Sequence, residues 1–128
     1  MRFKSIELGY EIEARGKTPA LFQQVHGTKI LDFPLTSNQI QEADGIITQK
    51  KNAEIYVFSA DCMPVLFFGE EAADPILAVH SGWRGTRDGI LGQAVSRMSA
   101  VKDLHVWVGP HVKQCCFEVK EDFISSFR

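Results

Sequence analysis

The stretch Pro75-Ile76-Leu77-Ala78-Val79-His80-Ser81-Gly82-Trp83-Arg84-Gly85-Thr86 decides the fold of this chain. It begins with a five-residue apolar run typical of a buried strand, and the glycines after the run mark its end before a helical pattern begins. His80 stands where the strand is expected to end, a position from which a side chain can leave the packed interior. The stretch therefore predicts a strand with a functional site at its end.

Short apolar or alternating runs predict further strands on both sides of this stretch. The predicted strands cover 20–25, 29–33, 45–48, 54–59, 64–69, 75–79 and 104–108, with a half-solvated edge strand within 3–12. A helix is predicted over about 87–101, with Thr86 as its N-cap and Asp88 in its first turn, and a short helix over about 120–127. The sheet forms the bulk of the fold, and the apolar face of the long helix packs on it.

Two glycines, Gly89 and Gly92, lie inside the predicted long helix. Each weakens a helix by about 1 kcal/mol relative to alanine. We interpret this cost as a sign that the start of the helix approaches a strand or a ligand closely.

Length and composition are those of one ordinary globular domain over residues 1–128, with 45% hydrophobic residues, 23% charged residues and a formal net charge of -2. Scattered Lys and Arg argue against nucleic acid as a partner. No apolar stretch approaches the ~20 residues that span a bilayer, and residues 1–5 lack the apolar core of a secretory signal. We therefore expect no membrane partner, a cytoplasmic location and three reduced cysteines.

Three residues of metal-ligand type stand at the edges of predicted strands: His26, Cys62 and His80. Two histidines and one thiol match the donor count of a catalytic zinc site, which keeps its fourth position for water or substrate. Taken singly, each histidine is better explained as a surface or hydrogen-bonded residue than as a ligand, and the cysteine as buried packing. Taken together, the three residues predict a zinc site.

Charged residues beside these ligands are candidates for catalysis. Arg84, in a glycine-flanked turn before the predicted helix, is placed to bind an anion; the alternative is a solvated arginine paired with Asp88 or Glu118. Asp61 and Asp44 are candidates for a general base or for a carboxylate that orients a ligating histidine. For Asp44 the alternative is a turn aspartate that bonds its own backbone.

A second segment, residues 107–119, ends a predicted strand in a Gly-Pro turn and then carries His111, Cys115, Cys116 and Glu118. Imidazole, thiol and carboxylate groups so close together along the chain are typical of a binding or catalytic surface. We expect this segment to form a second wall of the pocket.

Five ordered motifs between residues 24 and 119 resemble the hallmark segments of the YfiH-like laccase-domain family, which includes polyphenol oxidase, purine nucleoside phosphorylase and peptidoglycan editing factor relatives. The motifs are Gln24-Val25-His26-Gly27, Ala43-Asp44-Gly45-Ile46-Ile47-Thr48, Ala60-Asp61-Cys62-Met63-Pro64-Val65-Leu66, His80-Ser81-Gly82-Trp83-Arg84-Gly85, and Val108-Gly109-Pro110 through Cys115-Cys116-Phe117-Glu118-Val119. The resemblance implies an α/β (α+β) fold, with a mixed β-sheet core flanked by helices. This fold is shared distantly with the catalytic domain of bacterial cytotoxic necrotizing factors.

The resemblance also implies a function. It assigns the Zn²⁺ ligands to His26, Cys62 and His80, and it implies phosphorolysis of adenosine, inosine, guanosine or methylthioadenosine together with deamination of adenosine. The expected partners are a purine nucleoside and phosphate. We assign proton transfer in deamination to Asp61 and phosphate binding to Arg84. The residues expected to bind substrate are Gln24, Trp83, Arg84, His111 and Glu118.

Other functions compete with this interpretation. In one alternative, the protein is a hydrolase whose nucleophile is Cys62, activated by His80. In another, the protein edits peptidoglycan precursors. Typical members of the family extend further at both ends of the matched region. The sequence therefore also predicts a reduced metal-binding module, or a homo-oligomer that completes its pocket by self-association.

Overall fold

The computed structural model describes residues 2–4, 9–11 and 21–127. The secondary-structure elements, in chain order, are β1 (Arg2–Lys4), β2 (Gly9–Glu11), β3 (Ile30–Asp32), β4 (Gly45–Thr48), β5 (Met63–Phe68), β6 (Ile76–Ser81), α1 (Trp83–Arg87), α2 (Ile90–Arg97), β7 (His105–Val108) and α3 (Glu121–Ser125). β1 and β2 pair antiparallel, so two strands replace the one predicted within 3–12; the other residues of that prediction lie outside the described part of the chain.

Five strands form one mixed sheet in the order β3-β4-β6-β5-β7. β3 and β4 run parallel, and every other pair of neighbours runs antiparallel. The expected mixed-sheet α+β class is confirmed. The structure also has a strand within or overlapping each of the predictions at 29–33, 45–48, 64–69, 75–79 and 104–108, and α3 lies within the predicted helix 120–127.

The central strand of the sheet is β6, which lies between β4 and β5. Its residues Leu77, Ala78 and Val79 have no exposed surface. A strand buried on both faces has apolar residues at successive positions rather than at alternate ones, which explains the continuous apolar run in the sequence of β6. The strand continues through His80 to Ser81, so the histidine is part of the ladder rather than the residue after it.

Helix α2 covers one face of the sheet. Ile90, Ala94 and Met98 recur at helical spacing and share a buried cluster with Leu77 and Val79 of β6. The opposite face is covered by a second cluster that includes Phe22, Ile46 and Ala78. Burial of each large side chain contributes about 1.5–3 kcal/mol to folding. Among the described residues, no helix has the length and apolar character needed to cross a membrane.

Two predicted strands do not form. In 20–25 the described residues make only an isolated bridge, between Gln23 and Glu42, and 54–59 lies outside the strands. Ile55 and Val57 are buried, so the alternating apolar pattern of this segment reflects burial, although the segment lies outside the strands. The Gln24 side chain replaces part of that ladder: its amide donates to the Phe58 carbonyl at 2.7 Å and accepts from the Phe58 N–H at 2.7 Å.

The helix predicted over 87–101 is shorter: α1 ends at Arg87, the chain turns at Gly89, which has a φ of 95°, and α2 covers Ile90–Arg97. Glycine reaches this left-handed region without the steric cost of a Cβ atom. Thr86 is therefore not an N-cap: it lies inside α1 and its hydroxyl donates to the Gly82 carbonyl at 2.7 Å. Asp88 is the C-cap of α1 rather than a first-turn residue. The expected close approach at Gly89 and Gly92 is wrong, since a Cβ at either would meet nothing within 4 Å.

Substituting Gly89 and Gly92 one at a time distinguishes the effect of backbone conformation on stability from the effect of packing. Gly89→Ala forces a side chain into the left-handed region, and we expect the free energy of unfolding to fall by about 1–2 kcal/mol. Gly92→Ala, inside α2 with open space around it, is the matched control and should raise that free energy by up to about 1 kcal/mol. Urea unfolding followed by circular dichroism measures both. Equal effects of the two variants would contradict this account of the break.

Candidate metal centre

The edge of the sheet where β4 begins and β6 ends is held by a double contact between Asp44 and His80. The pairing of Gly45 with Val79 places the two residues opposite each other. The His80 N–H donates to the Asp44 carbonyl at 2.7 Å, and the His80 ring Nδ1 lies 2.8 Å from Asp44 Oδ1. Both side chains are buried, at 0% and 4% exposure. The imidazole is therefore fixed in position by a carboxylate.

The carboxylate of Asp44 also holds the loop before β3. Its oxygens accept backbone N–H bonds from Val25 at 3.2 Å, His26 at 2.9 Å and Gly27 at 2.7 Å. Burial alone raises the pKa of this carboxyl, but the hydrogen bonds from His80 and from the three N–H groups outweigh it and lower the pKa below its usual value. Asp44 is thus a charged anchor that orients a histidine, and not a turn residue that bonds only its own backbone.

His26 owes its position to the same anchor. Its φ of 60° lies in the left-handed region, where a residue with a Cβ pays about 1–2 kcal/mol. The bond from its N–H to Asp44 offsets this cost. The exposed His26 ring lies edge-on to the His80 ring, with 4.8 Å between the ring centroids and 79° between the planes.

Cys62 lies in the loop just before β5, where Met63 pairs with Ser81 at the end of β6. The thiol is half-buried, and the Ser59 hydroxyl donates to the Cys62 carbonyl. Burial first, and then the negative charges of Asp61 and Asp44, raise the pKa of the Cys62 thiol above its usual value. The same negative surroundings favour a cation beside the sulfur, which would stabilise the thiolate.

The ligand atoms of His26, Cys62 and His80 all lie within 4.8 Å of one another. In the part of the chain that the structure describes, no other group of three or more His, Cys, Asp or Glu residues converges in this way. When Nδ1–H of His80 donates to Asp44, its Nε2 lone pair is free for a metal, the arrangement by which carboxylates orient ligating histidines. The donor set of two imidazoles and one thiolate suits a borderline-soft divalent ion. The predicted ligands therefore form a His-Cys-His metal-binding arrangement.

Two glycines, which the sequence analysis interpreted only as marking the end of a strand, allow this convergence. A Cβ atom at Gly82 would stand 2.6 Å from Cδ2 of His26 and 3.3 Å from Sγ of Cys62. A Cβ atom at Gly85 would stand 2.6 Å from the carbonyl oxygen of Gly27. The loop carrying His26 therefore packs directly on the turn from β6 into α1, and the only signal in the sequence is the glycine spacing around Trp83 and Arg84.

The residues assigned to catalysis are Asp61 and Arg84. Asp61 is exposed, precedes Cys62, and accepts the Val112 N–H at its carbonyl at 3.0 Å. Arg84 is the second residue of α1 rather than part of a turn before it, and its guanidinium carbon lies 4.4 Å from the centroid of the Trp83 ring. The sequence alternatives had paired Arg84 with Asp88 or Glu118; instead Asp88 pairs with Arg87.

Three of the four remaining residues assigned to substrate binding have local partners. The amide of Gln24 is engaged at both ends by the backbone of Phe58. His111 has Nδ1 2.7 Å from the Gly109 carbonyl and Nε2 3.2 Å from Nζ of Lys113. Glu118 is exposed. Trp83 is partly buried and packs against Phe123, with 5.1 Å between ring centroids.

A mixed-sheet α+β domain with a His-Cys-His metal-binding arrangement at one edge of its sheet is the class that fold and site define. A family model described as multi-copper polyphenol oxidoreductase laccase matches residues 7–128. The chain belongs to this laccase family, which confirms the resemblance seen in its motifs.

Individual relatives agree with this assignment. The chain is 37% identical over 116 residues to a purine nucleoside phosphorylase from Clostridium acetobutylicum, covering 87% of this chain and 48% of the relative. It is 36% identical over 112 residues to a purine nucleoside phosphorylase from Haemophilus influenzae, covering 87% and 45%. The crystal structure of Bacillus licheniformis YfiH superimposes with a TM-score of 0.69 at 26% identity, covering 83% of this chain and 45% of that one. The chain thus spans about half the length of these relatives.

Removing the charge of Asp44 tests its role as anchor. Asp44→Asn removes the negative charge that four donors share and turns one oxygen, which serves two of them, into an NH2 group that cannot accept. We therefore expect the free energy of unfolding to fall by at least about 2 kcal/mol. Metal affinity, measured by competition with a chromophoric chelator, should fall about 10–100-fold. The exposed Asp103→Asn is the control and should leave both quantities unchanged. Unaltered metal affinity in Asp44→Asn would show that His80 does not depend on this carboxylate.

Gly82→Ala tests the convergence without removing a ligand. Gly82 has a φ of -75°, which alanine accepts, so the effect comes from the contact of the new methyl group with the His26 ring. We expect about a tenfold loss of metal affinity in the same competition assay, because His26 must move. Gly92→Ala, where the added methyl meets nothing, should bind metal as the unaltered chain does. Identical affinities in the two variants would argue against the close packing described here.

Proposed function

We propose that this chain carries the zinc centre of a purine nucleoside enzyme, which acts by phosphorolysis of adenosine, inosine, guanosine or methylthioadenosine and by deamination of adenosine. The observation that carries the proposal is the meeting of His26, Cys62 and His80 over the Asp44 anchor. It is supported by the relatives from C. acetobutylicum and H. influenzae, which are named purine nucleoside phosphorylases.

Zinc fits the donor set because three protein ligands of nitrogen and sulfur type leave one position open for water or substrate. When bound there, it supplies Lewis acidity next to that position. His80, fixed by Asp44, and His26, fixed through its backbone, would present their rings with little reorganisation. Two imidazoles and a thiolate also suit copper, so metal content has to be measured for both metals.

Asp61 is the residue we assign to proton transfer. Its carboxylate is exposed, and after burial its negative charge is the next cause that raises the pKa of the Cys62 thiol. It thus lies within electrostatic reach of the metal centre while remaining open to water. In deamination at C6 of adenine, such a carboxylate accepts a proton from the attacking water and returns it to the leaving amine.

Arg84 is the residue we assign to phosphate. Stacking on Trp83 holds the planar guanidinium while its N–H groups stay exposed, so the fork is available for an anion. In phosphorolysis, phosphate held in this way attacks the anomeric carbon of the ribose as the purine leaves. Trp83, His111, Glu118 and Gln24 are proposed to line the nucleoside site, with Gln24 acting through the backbone of Phe58.

The proposal also covers the cellular location of the protein and its partners. We place the protein in the cytoplasm, with a purine nucleoside and phosphate as partners and with neither nucleic acid nor membrane. Self-association of the chain is proposed as the way in which it completes its pocket. We also propose that residues 1–128 form a single domain.

Turnover by the zinc-loaded full chain tests this function. We expect conversion of inosine and phosphate to hypoxanthine, and of adenosine to inosine, followed by liquid chromatography, with one zinc per chain by elemental analysis. Arg84→Ala should raise the KM for phosphate about 10–100-fold, the loss expected for a charged hydrogen bond. Lys102→Ala, which removes the positive charge of an exposed residue with no contact to Trp83, is the control and should change that KM less than twofold.

Loss of zinc in His80→Ala without loss of turnover would contradict the mechanism. Turnover that survives full removal of metal by a chelator would instead favour Cys62 as a nucleophile, although the raised pKa of its thiol opposes that role. Copper in place of zinc would overturn the metal assignment. A folded, zinc-loaded chain that turns over no purine nucleoside would favour a metal-binding module or the editing of peptidoglycan precursors.

A further inference from the structure

Cys115 and Cys116 take no part in the site described above. Both are free, exposed thiols whose Sγ atoms lie 3.1 Å apart. A disulfide needs about 2.05 Å between the sulfurs and a Cα–Cα geometry that adjacent residues reach only in a strained ring. The structure therefore presents the pair as a dithiol.

The turn that carries this pair is fixed at both sides. The N–H groups of Cys116 and Phe117 both donate to the Lys113 carbonyl, at 2.9 and 3.0 Å. The Val112 N–H before the turn donates to the Asp61 carbonyl at 3.0 Å, and the ring of Phe117 after the turn packs edge-on against Phe123. Little conformational entropy has to be lost to hold the two thiols side by side, which favours chelation.

We propose that Cys115 and Cys116 form a second, separate binding site, in which two thiolates chelate a soft, thiophilic ion such as trivalent arsenic. Thiolates select soft ions over the harder ones that prefer oxygen. Two sulfurs bonded to one ion at about 2.3 Å each can stand at most roughly 4.6 Å apart, so the observed separation of 3.1 Å is within reach of one chelated ion after small side-chain rotations.

The site is distinct from the His-Cys-His centre and does not rest on the proposed nucleoside activity. Among the described residues, the group of three converging donors contains neither of these thiols. The described residues therefore offer this site two sulfurs, a number suited to an ion that binds few ligands.

Phenylarsine oxide is the probe, because its reaction with a dithiol involves no net oxidation. Each thiol gives up its proton, the two protons leave with the oxide oxygen as water, and two As–S bonds replace the As–O bond while arsenic stays trivalent. With the phosphine-reduced full chain, we expect one phenylarsenic group per chain by intact mass, removed by a competing dithiol and resistant to a monothiol.

Single substitutions identify the thiols involved. Cys115→Ser and Cys116→Ser should each weaken binding about 100-fold, because the second As–S bond is then no longer intramolecular. Cys62→Ser, and the unaltered chain with its metal centre saturated by zinc, should bind the probe undiminished. Absence of binding by the unaltered chain, unchanged binding in either serine variant of the pair, or loss of binding in both Cys62 controls would overturn the proposal.

Discussion

The buried carboxylate of Asp44 joins three parts of the chain that are far apart in sequence. Through its own backbone it belongs to the start of β4, through His80 it ties down the end of β6, and through three N–H groups it fixes the loop that carries His26. Each hydrogen bond to a charged acceptor contributes about 1.5–3 kcal/mol, and leaving the donors unpaired costs comparably. The metal centre and the order of the sheet edge thus rest on one ionised group.

Sheet topology explains why the metal ligands meet at that edge. The parallel pair β3 and β4 begins there, and the antiparallel strand β6 ends there. Since β5 is antiparallel to β6, its first residue lies opposite Ser81, which brings the loop containing Cys62 to the same edge. Ligands 36 and 18 residues apart in the sequence become neighbours because strand direction alternates across the centre of the sheet.

Much of this could be predicted from local patterns in the sequence. The apolar run of β6 and the glycines after it mark a buried strand and its end, and the residue types of His26, Cys62 and His80 identify a ligand set. The break at Gly89 could not be predicted, because an isolated glycine in a helical pattern is compatible with a continuous helix. The pairing of Gln24 with Phe58 could not be predicted either, because a side chain that bonds the backbone in place of a neighbouring strand produces no periodic pattern in the sequence. Asp44 remained ambiguous because its role depends on the long-range pairing of Gly45 with Val79.

In the proposed site, the metal ligands are held more firmly by the protein than the residues assigned to substrate and catalysis. His80 lies on a strand buried on both faces, and the loop of His26 is bonded to a carboxylate with no exposed surface, so the metal side is built on the core. Arg84, Asp61 and Glu118 are exposed, and Arg84 is held by one aromatic ring. Substitutions on the core side should therefore change stability and metal affinity together. Substitutions of Arg84 and Glu118 should change substrate constants alone, because no buried group loses a partner when they are made. Loss of the Asp61 charge should also affect the neighbouring metal ligand Cys62.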